Sequence, residues 1–263
     1  MRCLMILLIC FFFSLPSVFY GMEQKNINVV IFSSKETLKM EQVFKSFGAN
    51  VYVFKSSFKE ILADKKDINE LADKIAQADI MVLYNQEEFG FLAKSNIKFK
   101  ESIIQFFNSG GILIALIQWI SSSDFADFCK KENLWYPAYE QIKAYSNYRI
   151  AFPSQLYIAN EKISHPILEK PNKISGVVGY QNFGYLKPEG EDFYPLAICQ
   201  NNSNCVGVML QKNVIKNGFV IFSCLYEFIG DGKKTMKYPN EPLPRHSMLI
   251  IENIVDWASR KKL

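Results

Sequence analysis

The chain has 263 residues, 49% of them hydrophobic, and it contains 22 Phe and 13 Tyr. This length and composition are enough for one large domain, or two small ones, with a sizeable aromatic core. The formal net charge of +4 comes from 30 basic and 26 acidic residues that are interspersed along the sequence, which argues against a nucleic-acid partner because no basic stripe is present.

The first 21 residues have the plan of a signal peptide. Arg2 precedes an unbroken apolar run over 4–13, and a small residue, Gly21, closes the segment. The run is about 10 residues long, whereas a membrane-spanning helix needs about 20. We therefore expect residues 1–21 to be removed and 22–263 to form one exported domain, periplasmic or secreted, with no stable membrane span. A retained N-terminal anchor is the alternative.

The first half of the remaining chain alternates apolar strands with amphipathic helices. The predicted strands cover 28–32, 51–54, 80–84 and 112–116, and the predicted helices cover 37–47, 67–78, 98–108 and 124–133. Continuous apolar strands with a helix between each pair indicate a mainly parallel sheet with helices on both faces. The fold class is therefore α/β.

The second half changes in character. It is rich in Tyr, Pro and Gly, and it contains short additional strands predicted at 155–158, 196–199, 206–210 and 219–225, before a last helix over 247–260. No linker separates two cores, so one domain is the simpler organisation.

Two cysteines bracket a turn-rich sequence in this half. Cys199 and Cys205 flank QNNSN, between the apolar runs 194–198 and 206–210. If these runs pair as a hairpin, the two thiols face each other at its loop end, and export would allow them to form a disulfide. The alternative is two unpaired thiols. Cys129, on the apolar face of a helix, is expected to be a buried small hydrophobe.

The stretch FFNSGGILIALIQW, over 106–119, has the form of a helix, a Gly-Gly stop, a buried strand and a turn into the next helix. In several α/β enzyme folds this turn carries a nucleophile. Here the turn contains Leu116, Ile117, Gln118 and Trp119, so it offers neither Cys, Ser nor His.

Four segments resemble the class I glutamine-amidotransferase-like superfamily, especially its trehalose-utilisation-type branch. They are ADIMVLYNQEEF at 78–89, FFNSGGILIAL at 106–116, SHPILEKP at 164–171, and the ending GFVIFSCLYEF followed by IIENIVDWA. The resemblance implies a flavodoxin-like three-layer sandwich. The family's nucleophile would fall at Leu116, or at Ile117 if the register slips by one, and neither side chain can attack a carbonyl. The family's late His-x-Glu pair is also missing beside Glu227. Glutaminase activity is therefore not expected, and a Cys at position 116 alone should not create it.

A binding crevice could remain at the carboxyl ends of the strands, where open α/β sheets bind ligands. The candidate ligand-binding residues share this location and are Asn85, Glu87, Gln118, Trp119, Glu227 and His246. Amides, carboxylates and an aromatic ring suit a sugar or polyol, although strand ends are also polar simply because they meet water. The sequence shows no spacing typical of a metal site and no cofactor motif, and His165 is expected to be structural, at the start of the segment Pro166–Glu169.

Three functions are compatible with this pattern. The first is an exported, non-catalytic amidotransferase-like domain that binds a small polar ligand, such as a carbohydrate, or a protein partner. The second is a carbohydrate-metabolism enzyme that uses Glu87, Glu227 or His246 as acid and base. The third is a structural or assembly module. Clustering of the candidate residues around one pocket would favour binding or catalysis.

Overall fold

The computed structural model describes residues 26–33, 38–55, 57–62, 67–83, 86–116, 123–132, 134, 142–144, 154–158, 165–175, 177–181, 186–188, 193–199, 202–211, 219–223 and 245–261. In the strands between 142 and 223 the description covers the backbone only, except at Ile198.

The first half contains four strands and six helices within the described ranges. The strands are β1 (Asn28–Ser33), β2 (Asn50–Lys55), β3 (Ile80–Leu83) and β4 (Ile112–Leu116). The helices are α1 (Leu38–Ser46), α2 (Phe58–Leu62), α3 (Ile68–Ala76), α4 (Gln86–Ser95), α5 (Ile97–Asn108) and α6 (Ser123–Lys131). All four strands are parallel, which confirms the prediction.

The second half adds seven described strands and two helices. They are β5 (Ile142–Ala144), β6 (Ser154–Ile158), α7 (Pro166–Glu169), β7 (Val177–Gln181), β8 (Leu186–Pro188), β9 (Phe193–Cys199), β10 (Asn202–Gln211), β11 (Phe219–Ser223) and α8 (Arg245–Lys261). These strands extend the same sheet, whose order is β2-β1-β3-β4-β11-β10-β9-β6-β7, with β8 pairing to both β10 and β5.

The sheet changes direction at one position. β11 is parallel to β4, whereas β10 is antiparallel to β11 and the strands beyond it continue antiparallel. The five parallel strands therefore lie in the order β2-β1-β3-β4-β11, which is the flavodoxin-like order 2-1-3-4-5. The predicted α/β class, with a parallel centre and additional strands from the second half, is confirmed. In the part of the chain that the structure describes, no helix is long and apolar enough to cross a membrane.

Helices cover both faces of the parallel strands, because successive side chains of a strand point to opposite sides. On one face, Val30 and Phe32 join a cluster with residues of α2 to α6. We call this the aromatic face, since eight of its members are Phe32, Phe54, Phe89, Phe99, Phe106, Phe107, Phe125 and Phe128. On the other, which we call the aliphatic face, Val29 and Ile31 pack with residues of α1, α7 and α8, most of them Ile and Val.

Candidate functional site

The carboxyl ends of four parallel strands meet at one edge of the sheet. In register, Phe32 of β1 lies beside Leu83, Leu83 beside Ala115, and Leu116 beside Ser223 at the end of β11. This carboxyl edge is where ligands bind in open α/β sheets, at the point where the strand order reverses.

The sequence places the candidate residues around this edge, but none of their side chains is among those that the structure describes. Glu87 is the second residue of α4 and His246 the second residue of α8, and for both only the backbone is described. Asn85, Gln118, Trp119 and Glu227 lie outside the described residues. That these six side chains line one crevice therefore stays a prediction.

The expected nucleophile position lies at the end of β4. This strand covers Ile112–Leu116, the bounds predicted from sequence, and its last residue is in register with Ser223. The preceding Gly-Gly stop has a folding role. Gly110 has a φ of 83°, in the region that favours glycine, and a Cβ on Gly111 would lie 2.2 Å from the Phe106 ring. The two glycines are thus explained by the fold.

His165 immediately precedes α7, the position expected from the sequence. Its Nδ1 accepts a hydrogen bond from the backbone N–H of Ile167 at 3.2 Å, which is the arrangement of a helix N-cap. Its ring lies edge-on to Trp257 of α8, with centroids 5.0 Å apart. Burial lowers the pKa of His165 to about 4, against an opposing effect of the Glu169 carboxylate. A neutral, capping imidazole fits a structural role.

Asn253 is a residue whose importance sequence reasoning missed. Its side chain is fully buried in α8 and spans to the segment after α7. Its Oδ1 accepts from the backbone N–H of Asn172 at 2.9 Å, and its Nδ2 donates to the carbonyls of Ile167 and Asn172 at 2.7 and 2.8 Å. The signal in the sequence is an amide within the apolar stripe that contains Ile250, Ile254 and Trp257.

These contacts join two segments that carried the family resemblance. SHPILEKP, with the Asn172 that follows it, meets IIENIVDWA through a set of residues that we call the clasp: His165, Ile167, Asn172, Asn253 and Trp257. The amides of Asn172 and Asn253 bond to other groups of the protein, so these residues hold α7 and α8 together and are unlike a ligand site.

A second polar joint lies at the opposite, amino edge of the sheet. Asp79 is buried, and its Oδ2 accepts from the backbone N–H of Asn28 at 2.9 Å. Its backbone also bonds to the carbonyl of Asn28 and to the N–H of Ile112, at 2.8 Å each. Asp79 therefore aligns the starts of β1, β3 and β4, far from the edge where ligands are expected.

The hairpin expected around the two cysteines is present. β9 ends at Cys199, β10 contains Cys205, and the two strands are antiparallel, with Ile198 beside Val206. The register is irregular between Asn202 and Val206, and a bridge between the thiols stays a prediction. Cys129 is buried, which raises its thiol pKa. Among the described residues, no group of three His, Cys, Asp or Glu is placed to hold a metal ion.

No protein-family model matches the sequence, and no curated protein is significantly similar to it. Two solved structures are similar in fold at 10% sequence identity. The cold-adapted β-galactosidase from Rahnella sp. R3 has a TM-score of 0.43, and the alignment covers 90% of this chain and 31% of that enzyme. The glutaminase domain of CTPS from Trypanosoma brucei, solved with bound acivicin, has a TM-score of 0.41, with 89% of this chain and 94% of that chain covered.

Proposed function

We propose that this chain is an exported, non-catalytic domain of the class I glutamine-amidotransferase-like type. In this proposal it belongs to the trehalose-utilisation-type branch and binds a small polar ligand, such as a carbohydrate, or a partner protein. The binding surface is the carboxyl edge of the parallel strands, with Asn85, Glu87, Gln118 and Trp119 among its residues.

The observation that supports the proposal is the position of Leu116. This residue ends β4 at the carboxyl edge, where the family places its nucleophile, and it is aliphatic. A domain that keeps the flavodoxin-like strand order and its binding edge, but has no thiol, hydroxyl or imidazole at this position, is suited to recognition.

Ligand binding is tested by thermal unfolding of the purified full chain against a panel of neutral sugars and polyols. A ligand that binds only the native state raises the melting temperature. We expect at least one carbohydrate to do so, and Gln118→Ala to remove the shift. Gln105→Ala, an exposed amide on α5, is the matched control and should retain it.

The other outcomes count against the proposal. Turnover of a bound sugar that Glu227→Gln abolishes would establish the enzyme alternative. An absence of any shift, together with a stable homo-oligomer in solution, would favour the assembly module.

The non-catalytic part is tested by ammonia release from glutamine. The rate of ammonia release should stay at background for both the natural chain and Leu116→Cys. A positioned general base contributes about 10²–10⁴-fold to such a rate, and the sequence offers no base to partner a thiol at this strand end. Release by the natural chain that is lost in Glu227→Gln or His246→Asn would overturn this part.

Export is tested together with the cysteines. We expect the exported protein to lack residues 1–21 and to carry a disulfide between Cys199 and Cys205, whose Cα atoms should lie within about 7 Å. Mass mapping after alkylation without reduction is the measurement. If both thiols are alkylated, the disulfide does not form, and an intact N-terminus on the exported protein would contradict cleavage.

A further inference from the structure

The clasp contains a group that can take up a proton only by losing a bond. Nδ1 of His165 is the acceptor for the Ile167 N–H, so this nitrogen must be unprotonated. An imidazolium has two donors and no acceptor, and it would direct an N–H at the N–H that it now binds. We propose that the clasp is an acid-sensitive device, in which protonation of His165 releases the segment 165–174 from α8 while the parallel sheet stays folded.

The charges around His165 do not hold an imidazolium in place. Glu169 on α7 favours the protonated ring, but burial opposes it more strongly and lowers the pKa of His165 to about 4. Among the charged side chains that the structure describes on α1, α7 and α8, the others are paired or exposed. Glu252 accepts from Asn172, Asp256 pairs with Arg260, Glu41 pairs with Lys45 on α1, and Lys170 and Lys173 are exposed.

The direction of the pH effect follows from this lowered pKa. An unfolded segment has an ordinary His pKa of about 6.5 and takes up the proton first, so acid favours release. The contribution of neutral His165 is complete above pH 6.5 and is lost as the pH falls towards about 4. The contacts that Asn253 makes with Ile167 and Asn172 do not depend on pH, because an amide does not titrate. Asn172 also donates to the Glu252 carboxylate at 2.8 Å, a contact that the variant His165→Asn retains.

The segment that would be released adjoins the end strand of the sheet. Residues 165–174 precede β7, which is at the end of the strand order, and the segment is also held by Asn253 and by burial of Ile167, Leu168 and Ile174. Local opening of such a unit needs less free energy than global unfolding, so an acid-driven change can occur without loss of the core.

Hydrogen exchange of the full chain between pH 7 and 4.5, corrected for intrinsic rates, tests the proposal. Amide protection in peptides covering 165–174 should fall at least tenfold on acidification, while β1 and β3 remain protected. His165→Asn is the matched control, since Asn is a strong N-cap that does not titrate in this range, and its protection should be independent of pH. Equal pH profiles for the natural chain and His165→Asn would overturn the proposal.

A second measurement does not depend on the variant folding. The chain has two His residues, so an NMR titration of the natural protein yields two imidazole curves, and His246→Asn assigns them. The curve of His165 should have its midpoint well below 6.5 and coincide with the loss of protection. If His165 titrated with a midpoint near 6.5 while the amide protection of 165–174 stayed unchanged, the proposal would be wrong.

Discussion

The two faces of the parallel sheet are held by different means. The aromatic face is covered by α2 to α6, which follow one another along the chain, and its core is rich in phenylalanine rings. The aliphatic face is covered by α1, α7 and α8, which come from distant parts of the chain, and the clasp joins α7 to α8. Asn253 and Asn172, for example, are 81 positions apart.

This difference shows where directional bonds are needed. Helices joined by short loops to neighbouring strands have few alternative positions, so non-directional burial of apolar surface is enough to place them. A helix that is far along the chain from the elements it contacts could pack in several registers against an aliphatic surface. A buried amide whose partners exist in only one register selects among these positions, because any slip leaves its polar groups unpaired.

The largest effect is expected from truncation at the centre of the aromatic face. Phe89 is fully buried, and its ring lies 5.2 Å from that of Phe32 and 5.0 Å from those of Phe99 and Phe125, all edge-on. Phe89→Ala should lower the free energy of unfolding by about 3–5 kcal/mol, through lost transfer energy and a cavity. Phe91→Ala, on the same helix but half-buried, is the control and should lose less. Similar losses for both in urea titrations would contradict a core centred on Phe89.

The next effect concerns the clasp. Asn253→Ala should lower the free energy of unfolding by about 2–3 kcal/mol, because the carbonyls of Ile167 and Asn172 and the N–H of Asn172 would lose a buried partner. Urea denaturation measures the loss, and hydrogen exchange should locate it at 165–174. Ser259→Ala on the same helix, whose half-buried hydroxyl donates to the Asp256 carbonyl of its own turn, should change stability by less than about 0.5 kcal/mol. If amide protection at 165–174 were the same in Asn253→Ala as in the natural chain, the amide of Asn253 would not select the position of α8.

A smaller effect is expected at the Gly-Gly stop that leads into β4. Gly111→Ala would place a methyl group against the buried Phe106 ring and should cost about 1–3 kcal/mol by overpacking. Gly110→Ala should cost about 1 kcal/mol, because an L side chain is strained at a φ of 83°. Thermal and urea unfolding of both variants provide the test. If both were neutral, the stop would have no folding role, and a functional reason would be needed for the two glycines.

The parallel half was predictable because its strands are short apolar runs between clear stops. β4 has the predicted bounds, and α5 ends at the predicted Asn108 before its glycine stop. Three elements were missed or displaced for identifiable reasons. α4 was missed because it has Gly90 in its interior and is separated from α5 by Asn96 alone. α2 was missed because it is only 5 residues long. α8 is displaced, since it begins at Arg245, two residues before its predicted start. The strands β5, β7 and β8 are too short or too irregular for a period-2 pattern to identify them.

The site was less predictable than the fold. Sequence order places residues at strand ends, but which side chains converge depends on loop conformation, and Gln118, Trp119 and Glu227 lie outside the described residues. The structural role of His165 could be predicted, since Pro is typical of the first position of a helix and Pro166 therefore places His165 at the N-cap. The partnership of Asn253 with Asn172 could not, because it depends on contacts between positions that no local pattern relates.

The smallest effect is expected at the surface of the aromatic face, where ion pairs join helices that burial already holds. Lys98 on α5 lies 2.8 Å from an Asp73 oxygen on α3, with side chains 45% and 58% exposed. Lys100 lies 2.5 Å from Glu132, just after α6, with side chains 34% and 18% exposed.

Exposed ion pairs contribute about 0.2–1 kcal/mol and are screened by salt. Double-mutant cycles to Ala should therefore give a smaller coupling energy for Lys98 and Asp73 than for Lys100 and Glu132. Raising the salt concentration from 0.05 to about 1 M should nearly abolish the first coupling and only reduce the second. A coupling above about 2 kcal/mol for Lys98 and Asp73 would mean that this face, like the aliphatic one, depends on directional contacts, and the contrast between the two faces would fail.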